Sequence, residues 1–347
     1  MSRIVVAGAG MVGSAVAMRL ASAGRQVVLV DQRAVASGAS GMAMGAVRQS
    51  LANEVEIAMA RATINWLREH SQFQSVGYLA LATTIESEIE LSRRFSFLRR
   101  AGIRVERPRP DWVRSFLPSI GLDDVAAMLF TPEDGITDST HATRTAAALA
   151  VEAGAELIEG TDVSELIEND DIIVIACGAD SARVAARFNI TVPLECVTLQ
   201  LVETEPVVVP GDLPVIVDIG SGLHFRQRDG RLVAGGSLQG APIHKEPSVD
   251  PRIVVSLTDA LTRRLHIGVS VSRSWAGSID RTPDGRALLG QIAERVYLAC
   301  GFSGRGFLLS VGAAQLVAGE ILGWGRVGPD YHAARFASKL AVPVDVK

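Results

Sequence analysis

A glycine-rich turn between an apolar strand and a helix lies near the start of the 347-residue chain. The segment Ile4–Ala7 runs directly into Gly8-Ala9-Gly10-Met11-Val12-Gly13, and a helical pattern then leads to a second apolar segment that ends at Asp31. In such a turn the first glycine permits the tight bend and the second lets a pyrophosphate approach the backbone, while the third allows close packing of helix on strand. The pattern predicts a βαβ unit that binds a dinucleotide, with the pyrophosphate at the helix N-terminus and Asp31 at the ribose hydroxyls.

The bulk composition limits the other classes of function. A chain of 347 residues is long enough for two domains, and 48% hydrophobic residues supply a substantial core. The formal net charge of −4 provides no basic field for a nucleic acid or an anionic membrane. The 6 histidines show no metal-ligand spacing, so we predict no metal site.

The cysteines and apolar segments predict a cytoplasmic protein. The 3 cysteines, Cys177, Cys196 and Cys300, form no C-x-x-C pair, which is typical of a reducing compartment. No apolar run reaches the roughly 18 residues that a membrane span needs. The N-terminus begins a strand rather than a charged region followed by a cleavable apolar segment.

The sequence patterns predict parallel strands in one part of the chain and antiparallel strands in another, with helices between them. A β-branched run at 172–176 predicts a strand that is buried on both faces, as in a parallel sheet. Alternating apolar residues from Thr198 to Gly236, with a hairpin turn at Asp229-Gly230, predict an antiparallel sheet. Helices are predicted at 53–69, 86–100, 111–117, 141–153, 251–265 and 307–322.

These patterns predict an α/β chain with a discontinuous nucleotide-binding domain. Parallel βα segments occur at the start, middle and end of the sequence, and antiparallel material lies between them. We predict a Rossmann-like dinucleotide-binding domain at 1–75, 134–195 and 274–340. An inserted α+β substrate domain, built on the antiparallel sheet, is predicted at 76–133 and 196–273.

A second glycine-rich loop, Gly301-Phe302-Ser303-Gly304-Arg305-Gly306-Phe307, opens the last predicted helix. Taken alone, it would be a helix-capping turn. Reduction of a flavin, however, places negative charge at its N1–C2=O edge, and backbone donors at a helix N-terminus stabilise such charge. A nicotinamide has no comparable need, so the two loops together favour FAD.

The same segments resemble the family of FAD-dependent amino-acid oxidases and dehydrogenases. That family includes D-amino-acid oxidase, glycine oxidase, sarcosine oxidase and dye-linked proline dehydrogenase. The resemblance spans nearly the whole chain, and its most specific part is the tail with Trp275-Ala276-Gly277, Thr282-Pro283-Asp284-Gly285 and the second glycine loop. The spacing within that tail is most similar to the sarcosine and proline dehydrogenase branch.

The resemblance implies which residues would bind FAD. Val163 would contact the adenine side, Arg48 would lie near the isoalloxazine, and Gly304 to Phe307 would line its pyrimidine edge. The full set implied for the cofactor is Gly8, Ala9, Gly10, Met11, Val12, Gly13, Asp31, Gln32, Arg33, Ser37, Ser40, Arg48, Val163, Cys177, Gly178, Gly301, Gly304, Arg305, Gly306 and Phe307.

Several positions depart from the family pattern. No cysteine lies at 277–281, where sarcosine oxidases attach the flavin, so we expect noncovalent FAD. Ile279 replaces the carboxylate-binding arginine of glycine oxidase, and Leu51 replaces a second arginine of sarcosine oxidases. Leu308 and Val233 stand where family lysines occur, the latter associated with oxygen activation. The resemblance therefore favours a dehydrogenase over an oxidase.

The implied reaction is oxidation of an amino acid or secondary amine. Hydride transfer from the α-carbon to flavin N5 would give an imine that hydrolyses, and no general base is required if the amine binds neutral. The predicted catalytic residues are Arg48, Gln49 and Arg226. The arginine that binds a substrate carboxylate stays open among Arg48, Arg226, Arg281 and Arg305. His224 is more typical of a structural role.

Two other classes of function remain alternatives. An NAD(P)-dependent dehydrogenase needs only the first motif and predicts a colourless protein. A noncatalytic flavin-binding subunit of an amine dehydrogenase complex would explain the missing arginines and lysines. The sequence identifies neither the electron acceptor nor the oligomeric state, and a complex is compatible with it.

Overall fold

The computed structural model describes residues 2–208, 212–236 and 248–336. In chain order the strands are β1 (Ile4–Ala7), β2 (Val27–Asp31), β3 (Ala46–Val47), β4 (Tyr78–Ala82), β5 (Ala127–Thr131), β6 (Gly135–Ile136), β7 (Glu156–Glu159), β8 (Ile172–Ile175), β9 (Glu195–Thr204), β10 (Val215–Asp218), β11 (Leu223–Arg228), β12 (Arg231–Gly236), β13 (Val271–Arg281), β14 (Leu288–Ala293) and β15 (Val296–Cys300). The α-helices are α1 (Met11–Ser22), α2 (Ala39–Met42), α3 (Glu54–Glu69), α4 (Ile85–Arg100), α5 (Pro110–Phe116), α6 (Ser139–Glu152), α7 (Ser181–Ala186), α8 (Pro251–Leu265) and α9 (Gly306–Ile321).

The chain divides into two compact units. Unit 1 comprises 1–42, 139–197 and 278–347, and unit 2 comprises 43–138 and 198–277. The predicted first segment, 1–75, extends past the end of unit 1 at Met42, because β3 and α3 belong to unit 2. Residues 209–211, 237–247 and 337–340 of the predicted segments lie outside the described residues. The assignment of the units to FAD and substrate remains a prediction.

Among the residues that the structure describes, unit 1 contains a six-stranded sheet with the strand order β14-β15-β8-β1-β2-β7. All neighbouring pairs are parallel except β14 with β15. The central strands β1, β2 and β8 are apolar on both faces, as expected for a parallel sheet covered on both sides. Helix α1 packs against α6 and α9. The Rossmann-like prediction is confirmed.

Unit 2 contains a seven-stranded sheet, counted over its described residues, in the order β13-β9-β12-β11-β10-β4-β5. One face packs in a core that includes Leu79, Phe225 and residues of α5 and α8. Because side chains alternate along a strand, His224 and Arg226 point to the opposite face from Phe225. The prediction of antiparallel pairing between Thr198 and Gly236 is confirmed by the pairs of β9 with β12, β12 with β11 and β11 with β10. Strand β4, which lies outside that segment, pairs in parallel with β10.

Local signals predicted most elements well. The Asp229-Gly230 turn joins β11 to β12, and both residues have positive φ, 50° and 73°, as a type I′ hairpin requires. Asn53 caps α3 by accepting a hydrogen bond from the backbone of Glu56 at 2.9 Å. No helix among the residues that the structure describes is long and apolar enough to cross a membrane.

Candidate functional site

The carboxyl ends of four adjacent strands in unit 1 carry predicted cofactor residues. Strands β2, β1, β8 and β15 are neighbours and run in parallel. Asp31 ends β2 and Gly8 follows β1, while Cys177 lies just beyond β8 and Gly301 follows β15. The sheet thus brings both glycine loops to one edge, the edge at which open α/β sheets bind ligands.

The first glycine turn has no room for side chains at two positions. Gly8 has a φ of 102°, and a Cβ there would lie 2.5 Å from the carbonyl oxygen of Ala176. A Cβ on Gly13 would lie 1.8 Å from the carbonyl oxygen of Gly8. Helix α1 begins at Met11 without a side-chain hydrogen bond from its N-cap, Gly10, and without an acidic residue in its first turn. Its positive end is therefore suited to an anion.

Two serines of the following loop lie near this turn. Ser40 Oγ accepts a hydrogen bond from the backbone of Met11 at 2.9 Å, and it lies 3.2 Å from a Cβ built on Gly10. Ser37 Oγ is buried and has no hydrogen-bond partner in the described part of the chain. Buried hydroxyls are normally paired, so Ser37 has hydrogen-bonding capacity for a ligand.

Asp31 organises the turn as well as offering a ribose contact. Its two carboxylate oxygens accept hydrogen bonds from the backbone of Ala9 and of Arg33, each at 2.8 Å. The adjacent Gln32 accepts a hydrogen bond from Arg183 at 3.2 Å. A carboxylate has about four acceptor positions, so Asp31 can still bind hydroxyls.

An open cleft lies beside Asp31. Its walls include Gly8, Val163 and Cys177, and Val163 is 6% exposed. Burial raises the pKa of Cys177 to about 12, with the charges of Asp31 and Asp180 adding to the effect. The thiol stays protonated and inert, and Gly178, with a φ of 54°, turns the chain away after it.

The second glycine loop is a left-handed turn leading into α9. Gly301, Ser303 and Gly304 have φ values of 73°, 53° and 85°. Helix α9 begins at Gly306 with no side-chain hydrogen bond from its N-cap, Arg305, and no acidic residue in its first turn. Its N-terminus therefore presents backbone donors and a positive dipole end.

Other residues around this loop have protein partners. Arg305 Nη2 donates to the carbonyl oxygen of Gly285. A Cβ on Gly304 would lie 3.5 Å from Ile279, the apolar replacement for the glycine oxidase arginine. Arg281 points away to Glu195, with nitrogen and oxygen 2.6 Å apart. The structure thus pairs two of the candidate carboxylate-binding arginines, Arg281 and Arg305, with groups of unit 1.

Sequence reasoning missed Asp280. This buried residue near the end of β13 accepts a hydrogen bond at Oδ2 from the backbone of Gly301. Burial raises its pKa to about 6, although backbone donors oppose the rise. The available signal was an acid placed two residues before the Thr282-Pro283 turn.

The residues of unit 1 fit FAD. Two helix N-termini whose N-cap residues make no side-chain hydrogen bond lie at one sheet edge, and the positions of Gly8 and Gly13 form a cradle that a Cβ would fill. The cleft beside Asp31 lies at the same edge, and Ser37 offers a buried hydroxyl that has no hydrogen-bond partner among the described residues. The pyrophosphate of FAD would use one helix N-terminus, and the negative charge on the reduced flavin ring would use the other.

Unit 2 contains a separate polar cluster around Arg48. Its guanidinium lies 5.3 Å from the centroid of the Tyr78 ring, and Nη1 donates to the carbonyl oxygen of Ser50. No carboxylate forms an ion pair with Arg48 among the described residues. Burial, together with the charge of Arg48, lowers the pKa of His224 to about 4, so this imidazole is neutral at pH 7. Burial raises the pKa of the Tyr78 hydroxyl.

Gln49 has protein partners at both ends of its amide. Its Oε1 accepts from Arg61 at 3.0 Å, and Nε2 donates to Glu133 at 3.3 Å. Its backbone N–H donates to the buried carboxylate of Asp134 at 2.8 Å. These bonds give Gln49 a role in holding the 46–50 segment.

Arg226 is also engaged by the protein. It is 7% exposed, and its Nε donates to the carbonyl oxygen of Met44. Its Nη1 donates to the carbonyl oxygen of Gln227 at 3.0 Å. Burial lowers the pKa of this guanidinium to about 10, which still leaves it charged at pH 7. Arg226 therefore ties the Met44 backbone to β11.

Comparison with known proteins assigns the family. Residues 3–320 match the sequence profile of the DAO family, described as FAD dependent oxidoreductase. The chain belongs to the DAO family. This assignment confirms FAD as the cofactor and excludes the nicotinamide alternative.

The relatives of this DAO chain differ in how much of their own length it matches. It is 26% identical over 365 residues to 4-methylaminobutanoate oxidase (formaldehyde-forming) of Paenarthrobacter nicotinovorans, covering 91% of this chain and 43% of that protein. It is 25% identical over 354 residues to glycine oxidase of Geobacillus kaustophilus, covering 91% of each. The chain thus spans less than half of the first relative and most of the second.

A solved structure supports the same fold. The crystal structure of L-proline dehydrogenase from P. horikoshii superimposes with a TM-score of 0.89 at 26% identity, covering 97% of this chain and 98% of the other. The predicted fold class is therefore confirmed, and the chain is a member of an enzyme family that uses FAD.

Proposed function

We propose that this DAO family chain oxidises a carboxylate-bearing amino acid or secondary amine, with FAD bound noncovalently. When bound, FAD supplies the hydride acceptor, and the oxidised substrate is an imine that hydrolyses in water. The observation that carries the proposal is the meeting of both glycine loops and Asp31 at one edge of the unit 1 sheet. The relatives, which include a glycine oxidase and a proline dehydrogenase, support the substrate class.

The residues of unit 1 hold and orient the cofactor. Gly8 and Gly13 allow close approach of the pyrophosphate, and the N-terminus of α1 stabilises its charge. Asp31 binds the ribose while it holds the turn through Ala9. The N-terminus of α9, with the loop before it, stabilises negative charge at the pyrimidine edge.

Arg48 is the best candidate to bind the substrate carboxylate. Arg226 has two nitrogens engaged by backbone carbonyls, whereas Arg48 has one such bond and stacks on Tyr78. A partly buried guanidinium without a carboxylate partner has a strong preference for an anion. Because its pKa is lowered to about 4, the His224 imidazole is neutral at pH 7 and adds no positive charge beside Arg48.

The reaction with oxygen is expected to be slow. Reduction of O₂ builds up negative charge, which a nearby lysine would stabilise. At the two positions where family members have lysines, this chain has Leu308 and Val233, which are 6% and 1% exposed. Buried aliphatic groups offer no such stabilisation, and this supports a dehydrogenase that uses another electron acceptor.

The first experiment is a visible spectrum of the purified protein, followed by anaerobic titration with D-, L- and N-methyl amino acids. We expect a yellow protein that one class of these amines bleaches. Colour that is released by denaturation without covalent attachment would support noncovalent FAD. A protein that neither contains nor takes up FAD, or whose FAD no amine reduces, would contradict the proposal.

The role of Arg48 is tested with Arg48→Gln and the matched exposed control Arg228→Gln. We expect Arg48→Gln to raise KM for the reducing amino acid roughly 100-fold, because a charge-assisted hydrogen bond to the carboxylate is lost. Oxidation of the corresponding amine without a carboxylate should change less than threefold, and Arg228→Gln should resemble the unmodified protein. Equal losses for both substrates would refute carboxylate binding by Arg48.

The choice of electron acceptor is tested separately. After anaerobic reduction, the protein is mixed with either air-saturated buffer or an artificial dye, and the return of the flavin absorbance is followed. We expect the dye to reoxidise the protein at least 100-fold faster than oxygen does, because no lysine assists the oxygen reaction. Comparable rates would show that the chain works as an oxidase.

A further inference from the structure

Asp280 is a buried carboxylate that the proposed reaction does not use. It is 7% exposed and lies at the penultimate position of β13. Its Oδ2 accepts the N–H of Gly301, and its backbone oxygen accepts the N–H of Ser303 at 2.8 Å. One residue thus holds two positions of the second glycine loop.

The loop needs such support because part of its backbone is strained. Ser303 has a φ of 53°, a left-handed conformation that is unfavourable for a residue with a Cβ. Thr282 adds a further bond from its backbone N–H to Ser303 Oγ at 3.4 Å. The end of β13 therefore determines the shape of the loop that leads into α9.

The charged groups around Asp280 are directed elsewhere. Arg281 pairs with Glu195, and Asp284 pairs with Arg335 at 2.9 Å. Arg305 donates to the Gly285 carbonyl. The nearby Cys300 thiol is neutral, since burial raises its pKa well above the ordinary value of 9.0. Within the described residues, Asp280 forms no ion pair, so its charge is balanced by backbone N–H groups alone.

We propose that Asp280 is a positioning residue of the cofactor loop and that it takes up one proton when the bound FAD is reduced. This inference rests on the proposed function, in which the loop lines the pyrimidine edge of FAD. A second negative charge in the same buried region increases the proton affinity of a carboxylate. The proton comes from solvent and binds at Oδ1, while Oδ2 continues to accept from Gly301. The carboxylate becomes a carboxylic acid, and the electrons come from the amine.

The proposal predicts an additional proton for every two electrons. In a two-electron couple, each extra proton adds about 30 mV per pH unit to the slope of the midpoint potential. This extra slope should begin above pH 6, because burial raises the pKa of Asp280 to about 6 in the absence of reduction. Below that pH the carboxyl is already protonated, and the extra slope should vanish.

The experiment is a potentiometric titration of the FAD-loaded full chain from pH 5 to pH 8.5, with dithionite, mediator dyes and flavin absorbance as the readout. We expect the slope above pH 6 to be twice as steep in the unmodified protein as in Asp280→Asn. The control is Asp284→Asn, which should keep the steep slope because Arg335 lowers the pKa of Asp284 and keeps it charged. Equal slopes in the unmodified protein and Asp280→Asn would overturn the proposal.

A second measurement does not depend on the folding of a variant. The reduced-minus-oxidised infrared difference spectrum of the unmodified protein at pH 7.5 should show a new protonated-carboxyl band. The absence of that band would also overturn the proposal. Because dithionite replaces the amine, a protein that shows the steep slope but is reduced by no amine would refute the proposed substrate class and leave the role of Asp280 standing.

Discussion

Arg226 donates a hydrogen bond from Nε to the carbonyl oxygen of Met44, a residue 182 positions earlier in the chain. The arginine lies on β11, and Met44 precedes the short strand β3. Gly45, next to Met44, has a φ of 78°, and a Cβ there would lie 2.2 Å from the carbonyl oxygen of Thr137. The backbone that leads to Arg48 is therefore held by contacts within unit 2.

Replacement of Arg226 should affect stability more than substrate affinity. Arg226→Gln removes two hydrogen bonds that a buried charged group donates to backbone carbonyls, so we expect the free energy of unfolding to fall by about 2–4 kcal/mol. Urea denaturation measures this loss, and the exposed Arg228→Gln should change by less than about 0.5 kcal/mol. An Arg226→Gln protein of normal stability with a greatly raised KM would instead identify Arg226 as the substrate ligand.

Gly13→Ala should abolish tight binding of FAD. A methyl group at this position would lie 1.8 Å from the carbonyl oxygen of Gly8, so the turn must open. We expect Kd for FAD, measured by flavin fluorescence quenching, to rise at least 100-fold, or about 2.7 kcal/mol. Gly24→Ala is the control, since no atom lies within 4 Å of its Cβ and only its φ of 76° is unfavourable. A Gly13→Ala protein that binds FAD within threefold of normal would contradict the assigned turn.

Asp280 should make the apoprotein less stable as the pH rises from 4 to 6. Burial raises its pKa from the ordinary value of 3.8 to about 6 in the folded protein, so the folded state binds the proton more tightly. Unfolding therefore releases a proton in this range, and the free energy of unfolding should fall by about 1.4 kcal/mol per pH unit, or about 3 kcal/mol in total.

Asp280→Asn isolates this contribution. The difference in the free energy of unfolding between the variant and the unmodified protein should move in favour of the variant between pH 4 and pH 6. This difference should be constant above pH 7, where Asp280 is ionised in both the folded and the unfolded protein. Urea titrations at half-unit pH intervals provide the measurement, and a difference that does not vary with pH would show that Asp280 is not the titrating group.

Cys177 should resist alkylation in the native protein. A thiol with a pKa of about 12 is almost fully protonated at pH 8, so we expect iodoacetamide to react roughly 1000-fold more slowly than with the unfolded chain. Mass spectrometry of labelled peptides, before and after addition of urea, measures the ratio. Rapid native labelling would mean that the cleft beside Asp31 is more hydrated than its burial indicates.

The sequence by itself determined the local elements and the cofactor class. The strand, glycine turn and helix at 4–22, the Asp229-Gly230 hairpin and the Asn53 cap are specified by neighbouring residues, because turns, caps and side-chain periodicity depend on short-range geometry. The two glycine loops also predicted FAD, since each combines a sharp turn with the positive end of a helix.

The tertiary structure decided which side chains are already engaged. The sequence offered four arginines for a substrate carboxylate, but only the fold shows that Arg226 binds the Met44 carbonyl and that Gln49 lies between Arg61 and Glu133. It likewise placed Asp280 beneath Gly301 and paired β4 with β10 in parallel. Such contacts join residues that are distant in the chain, and their geometry follows from strand order and packing, which no local pattern encodes.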